Sequence, residues 1–134
     1  MEIDSIISTV NEIHKKADRA LENRDANLYM QYFDESLKYA TADSSSFDKK
    51  EFAQNLEKYF KSIKDYKTSH YRIKSSFEND IFTEKIARKS VIIKPNLLVF
   101  SKKETIQTEE VYHWKNINSE WKIVAVEVVL EEKY

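Results

Sequence analysis

The sequence predicts an α+β fold, with N-terminal helices packed into a curved, mostly antiparallel sheet. Three features of the pattern carry that prediction. Apolar residues recur at i, i+3, i+4, i+7 spacing through the first half of the chain. After Lys64 the period changes to 2 and stays there. The 134 residues, 41% hydrophobic, show no repeat, linker or low-complexity tract, which suits a single domain over 1–134.

Each element has its own signal. Ile3, Ile6, Ile7, Val10, Ile13, Ala17, Ala20 and Leu21 form one apolar stripe, with Lys15, Lys16, Asp18 and Arg19 off it. Asn23-Arg24-Asp25 ends that helix, and Asp25 is placed to N-cap a short second one carrying Leu28, Tyr29, Tyr32 and Phe33. Residues 37–42 read as a short strand and 43–46 as a polar loop. Asp48 followed by Glu51 is a capping box with Asp in place of Ser or Thr, and Phe47 is positioned to close on Phe52 as a hydrophobic staple. Phe52, Leu56, Tyr59, Phe60 and Ile63 are the buried stripe of the third helix. Strands are then expected over 67–78, 81–94, 105–115 and 120–130. Pro95 has no N–H for a ladder, so 95–103 is expected to be a bulge, an edge or a loop.

Composition removes whole classes of chemistry. There is no glycine, where average usage of about 7% would supply roughly nine. That excludes a P-loop, a dinucleotide-binding fingerprint and a nucleophile elbow. It also forces tight turns onto Asn, Asp and Ser. The absence of cysteine excludes disulfides, thiolate metal sites and thiol nucleophiles. A net charge of -1 gives no field favouring nucleic acid or an anionic membrane. Residues 1–4 carry no secretory signature and no apolar run is long enough to span a bilayer, so a cytoplasmic protein is expected. His14, His70 and His113 show no metal-ligand spacing, so neither a metal nor a cofactor is expected.

Two hairpin tips set the expected registers. With Asn79-Asp80 at the first, Phe77 faces Phe82, Ile73 faces Ile86 and Tyr71 faces Arg88, and this is the inner face. The reverse face carries His70, Arg72, Lys74, Lys85 and Lys89, with Lys74 opposite Lys85; that basic group is either a solvated face or a docking patch for an acidic partner. With Ile117-Asn118 at the second tip, Trp114 faces Trp121, Tyr112 faces Ile123, Glu110 faces Ala125 and Thr108 faces Glu127. Val124, Val126 and Val128 then lie on the opposite face of a strand apolar on both sides. A strand of that kind is covered on both faces, so a homodimer through Val124, Val126 and Val128 is expected.

The strings Leu28-Tyr29-Met30-Gln31-Tyr32-Phe33-Asp34-Glu35-Ser36-Leu37-Lys38-Tyr39 and Trp114…Trp121-Lys122-Ile123-Val124 resemble the nuclear transport factor 2-like (SnoaL-like) superfamily over nearly the whole chain. The resemblance implies a cone: a sheet wrapped round a long N-terminal helix, a pocket inside and frequently a dimer outside. It implies no site residues. The general-base position of the superfamily's ketosteroid isomerases falls at Thr41, with Asp43 nearby, and the first helix lacks their oxyanion-hole tyrosine. The pocket arginine and two strand histidines of its kinase association domain fall at Tyr112, Ala125 and Glu127.

The expected inner face supplies Tyr71, Glu84, Arg88, Ser90, Thr108, Glu110, Tyr112 and Glu127. A carboxylate buried there must be paired or neutralised. Arg88 with Glu110 and Glu127 therefore either lines a pocket or closes the core. Tyr29, Tyr32, Tyr59 and Trp114 are a candidate aromatic lining for a flat apolar ligand, or simply core. The site expected to bind a ligand is thus Tyr32, Tyr71, Arg88, Glu110, Tyr112, Trp114 and Glu127. Three functions stay open: a small-molecule-binding domain, an enzyme (lyase, isomerase or hydrolase) using Glu110 or Glu127, and an assembly module using the outer sheet face.

Overall fold

A computed structural model describes residues 2–95 and 101–134; part of the stretch expected to be a bulge or loop, 96–100, lies outside the described residues. The elements run α1 (Glu2–Glu22), α2 (Ala26–Met30), β1 (Phe33–Ala40), β2 (Ser46–Phe47), α3 (Lys49–Lys61), β3 (Asp65–Glu78), β4 (Ile81–Lys94), β5 (Lys102–Ile117) and β6 (Glu120–Lys133). The strands form one sheet in the order β2-β1-β6-β5-β4-β3. β1 and β6 are parallel and all other pairs antiparallel. No described helix is long and apolar enough to cross a membrane.

The helices begin where local chemistry allows. The Asp25 carboxylate accepts the Leu28 N–H at the start of α2. At α3 the Asp48 carboxylate accepts from the Glu51 N–H, while Glu51 accepts from the Asp48 N–H, so the expected capping box forms. α1 buries Ile6, Val10, Ala17, Ala20 and Leu21, and also His14 in the middle of the stripe. These meet Phe60 and Ile63, and Phe82, Ile86, Ile92, Trp114, Ile123 and Val126 from the sheet.

Every tight turn is made without glycine. Arg24, Ser44, Asn79, Asp80, Asn118 and Ser119 all have positive φ. The β3–β4 tip is Asn79-Asp80 as expected, and Phe77 pairs with Phe82. The β5–β6 tip is Asn118-Ser119, one residue later than expected. A type I′ turn needs two left-handed residues, and a β-branched Ile117 is poorly suited to that conformation.

Bulges overturn several expected facings. One at Ile73 shifts the β3–β4 register, so Arg72 pairs with Ile86, Tyr71 with Ala87 and His70 with Arg88. Beyond it His70 and Arg72 turn inward, and Tyr71, 68% exposed, turns out. On β6, bulges at Val124 and Val129 pair Tyr112 with Val126 and Glu110 with Val128. Val126 and Val128 are therefore buried in the core and cannot meet a second subunit, and Val124 is half-buried at its bulge. Glu127 pairs with Val111 on the outer face. The last strand carries Ile123, Val126 and Val128 on one face, because the bulge changes the parity between 123 and 126. Lys74 does oppose Lys85, and the β5 neighbour Glu109 compensates Lys85 at 3.0 Å.

Candidate functional site

The helices do not fill the cone. A cavity of about 210 Å³ remains between α2, α3 and the inner face of the sheet. Its walls are aromatic: Tyr29 from α2, Tyr39 from β1, Phe52 and Tyr59 from α3, Tyr66 from β3 and Tyr112 from β5. Tyr39 stacks on Phe52 with ring centroids 4.1 Å apart, which fixes that wall.

The polar wall is one ion cluster. The Arg88 guanidinium donates through Nε to Glu110 (3.3 Å), and through Nη1 to Asp18 of α1 (2.9 Å) and Thr68 (2.9 Å). Glu110 also accepts from the Tyr112 hydroxyl at 2.7 Å and the Thr108 hydroxyl at 2.6 Å. Arg88 and Glu110 are each only 7% exposed, so each charge is held by the other and by the Asp18, Thr68, Thr108 and Tyr112 contacts. Burial works against the Arg88 charge, but Glu110 and then Asp18 more than restore it, leaving the guanidinium firmly protonated. Burial pushes the phenols of Tyr29, Tyr39, Tyr66 and Tyr112 above their ordinary range, so they remain neutral O–H groups.

Asp18 links this cluster to His70, whose Nδ1 lies 2.7 Å from Oδ2. A carboxylate only accepts, so Nδ1 carries the hydrogen. Burial raises the Asp18 carboxyl, but the bond from His70 and the Arg88 charge together hold it below its ordinary value of 3.8.

A second cluster lies deeper. Glu84, 1% exposed, accepts from His14 Nε2 (2.6 Å), Trp114 Nε1 (2.6 Å) and Arg72 Nε (2.9 Å). Burial raises this carboxyl, and the His14 bond followed by the Arg72 charge outweighs it, so the net shift is downward. The His14 and His70 rings lie 4.7 Å apart and join the two clusters.

Of the residues expected from the sequence, the structure brings Arg88, Glu110 and Tyr112 together on the cavity wall. Trp114 is fully buried beside Glu84, outside the lining, and Tyr32 packs against the core elsewhere. Tyr71 and Glu127 are on the outer face. Asp43 lies exposed in the loop after β1, hydrogen-bonded to Thr41. Tyr29 and Tyr59 line the cavity. Sequence reading missed Asp18, Tyr39, Tyr66 and Thr68. Asp18 stands four residues after His14 on the same helical face, and that spacing was the available signal. No group of three or more His, Cys, Asp or Glu among the described residues is arranged to hold a metal.

No family model matches the sequence, and no curated protein does. Solved structures do match. A conserved protein from Planctomyces limnophilus superposes with a TM-score of 0.84 at 10% identity, covering 100% of both chains. A nuclear transport factor 2-like superfamily protein from Salmonella enterica serovar Typhimurium gives 0.78 at 13% identity, covering 94% of this chain and 91% of that one. A hexachlorocyclohexane dehydrochlorinase gives 0.77 at 7% identity, covering 100% of this chain and 93% of that one. Identities this low speak to architecture alone. Helices seated in a bent six-stranded sheet, shared over nearly full length with these structures, establish that the chain has the nuclear transport factor 2-like, cystatin-like fold.

Proposed function

We propose that this chain binds a small molecule inside the cone. The observation that carries the reading is the aromatic-walled cavity with a charged cluster on one side, set in the core of buried side chains. An interior closed by side chains would instead have favoured a purely assembly role. Titration of ¹⁵N-labelled protein with single-ring compounds tests this. The amides of Tyr29, Ser90, Thr108 and Tyr112 should shift together at millimolar ligand. Shifts confined to the outer face, or none at all, would remove the proposal.

A lyase, isomerase or hydrolase working through Glu127 is not supported, because Glu127 is on the outer face. Glu110 is engaged by Arg88, Tyr112 and Thr108, which suits a structural anion better than a proton carrier. The enzymatic alternative shifts to His70, whose imidazole Asp18 orients as a carboxylate orients a catalytic base. A compound turned over by the native chain and only bound by His70→Gln would select it.

Homodimerisation rests on different residues from those first expected. Tyr71, Ala87 and Leu130 line a groove on the outer face, with Lys89 on one side and Glu109 and Glu132 on the other. A two-fold axis along the strands between β4 and β5 would lay the lysine side of one copy over the glutamate side of its partner. Leu130→Lys should then convert a dimer to a monomer in sedimentation equilibrium. A native chain that sediments as a monomer at high micromolar concentration excludes this interface.

A further inference from the structure

We infer that the cavity selects neutral single-ring compounds bearing a carbonyl-type acceptor, and discriminates against carboxylate anions of the same shape. This rests on the small-molecule reading above and specifies the ligand.

The inference comes from what the cavity wall leaves unpaired. Among the described residues, the hydroxyls of Tyr29 and Tyr39 have no hydrogen-bond partner, whereas Tyr66 pairs with Ser90 and Tyr112 with Glu110. Arg88 spends Nε and Nη1 on Glu110, Asp18 and Thr68, and its Nη2 has no partner among the described residues. No sealed side-chain nitrogen or oxygen among those residues lacks a partner. The unpaired hydroxyls and Nη2 are therefore not sealed, and all three residues line the cavity. All these groups can donate, and Glu110, the carboxylate on the inner wall among the described residues, already accepts from Arg88, Tyr112 and Thr108. The complement to such a wall is a hydrogen-bond acceptor.

Charge decides which acceptor. The guanidinium of Arg88 is the cation on the wall, and Glu110 and Asp18 already compensate it; Glu131 at the rim is paired with Lys133 at 3.7 Å. Burial keeps the phenols neutral, so they add no charge of either sign. An anionic ligand would find the Arg88 cation already paired, and the Glu110 carboxylate beside it, with nothing to offset the loss of its hydration. A neutral carbonyl meets the same donors without that cost.

Size and shape decide the rest. About 210 Å³ is room for roughly seven waters at ~30 Å³ each. That is the volume of one substituted ring, and the wall of ring faces and edges suits a flat body.

The experiment compares acetophenone, ethylbenzene and benzoate, which are close in shape and differ in acceptor and charge. Each is titrated into the ¹⁵N-labelled chain at pH 7. Acetophenone should bind about 5-fold or more tighter than ethylbenzene, the worth of one or two hydrogen bonds, and benzoate should be weakest. In Tyr29→Phe/Tyr39→Phe the acetophenone preference should fall, with Arg88 Nη2 left as a donor, while ethylbenzene still binds. Those hydroxyls have no protein partner among the described residues, so the variant tests the wall and not the fold. Benzoate binding as well as acetophenone, or a preference undiminished in the double variant, overturns the inference and leaves the cavity reading intact. If none of the three shifts the cavity amides, the cavity reading itself fails.

Discussion

Two ionic clusters lie inside this cone, built from the same kinds of residue, and they differ in what surrounds them. Around Glu84, the donors of His14, Arg72 and Trp114 converge on one carboxylate that packing seals. Around Arg88, a guanidinium shared by Glu110 and Asp18 borders a hollow and keeps a nitrogen unpaired among the described residues. Both hold buried charge, and both depress a carboxyl, Glu84 in one and Asp18 in the other. Buried charge and shifted titration are therefore poor markers of a site by themselves. Among the described residues, hydrogen-bonding capacity left over beside an internal hollow separates the two, and it lies near Arg88.

The largest test of that difference removes each carboxylate in turn. Glu84→Gln removes the negative charge and one of the two oxygens that Arg72, His14 and Trp114 donate to in a sealed space, and should cost about 3–5 kcal/mol. Glu110→Gln leaves Arg88 its contact with Asp18 beside the cavity, and should cost about 1–3 kcal/mol. Urea denaturation of both variants measures this. Equal costs would erase the distinction between the clusters.

The pH dependence of stability separates them next. Asp18 and Glu84 lie below their ordinary values of 3.8 and 4.5 in the fold, so the unfolded chain takes up protons first on acidification. Their contribution is complete above about pH 4.5 and is lost progressively as pH falls below that. The cavity phenols lie above their ordinary 10.0, so the unfolded chain ionises first on alkalinisation. Their contribution is complete below pH 10.0 and lost as pH rises past it, by up to about 1.4 kcal/mol per pH unit for each group. The acid limb belongs to both clusters and the alkaline limb to the cavity wall. Urea midpoints at pH 3, 7 and 11 check both limbs, and equal midpoints at 7 and 11 would contradict the second.

The smallest effect is the most specific. Tyr112→Phe removes a hydroxyl that Glu110 uses, and should cost about 1–2 kcal/mol. Tyr29→Phe removes one with no partner among the described residues, and should change stability by less than about 0.5 kcal/mol. Matched thermal melts decide it; a comparable loss in Tyr29→Phe would mean that its hydroxyl is satisfied within the protein.

Element order was readable because periodicity and caps are local. The stripe of α1, the Asp48–Glu51 box and the Asn79-Asp80 tip each lie within a few neighbouring residues. The site was readable on β4 and β5, where alternation runs unbroken from Glu84 through Arg88 and from Thr108 through Trp114. It failed on β3 and β6 because one extra residue reverses every later side chain. The clue on β6 was the parity change from Ile123 to Val126. On β3 nothing local distinguished Ile73 from any other strand residue; only the need of buried Glu84 and Asp18 for cationic or N–H partners pointed to Arg72 and His70.

The parallel pairing of β1 with β6 has a consequence for how the chain is made. β1 is among the first strands to emerge during synthesis and β6 is the last of the six, yet they are hydrogen-bonded neighbours in the middle of the sheet. Until β6 has left the ribosome, the β1–β2 ribbon and the β5 edge must wait with unpaired backbone and exposed aromatic faces. The cone is therefore closed in a late step by contacts far apart in sequence, and its assembly should be slow for its length and sensitive to crowding by neighbouring nascent chains.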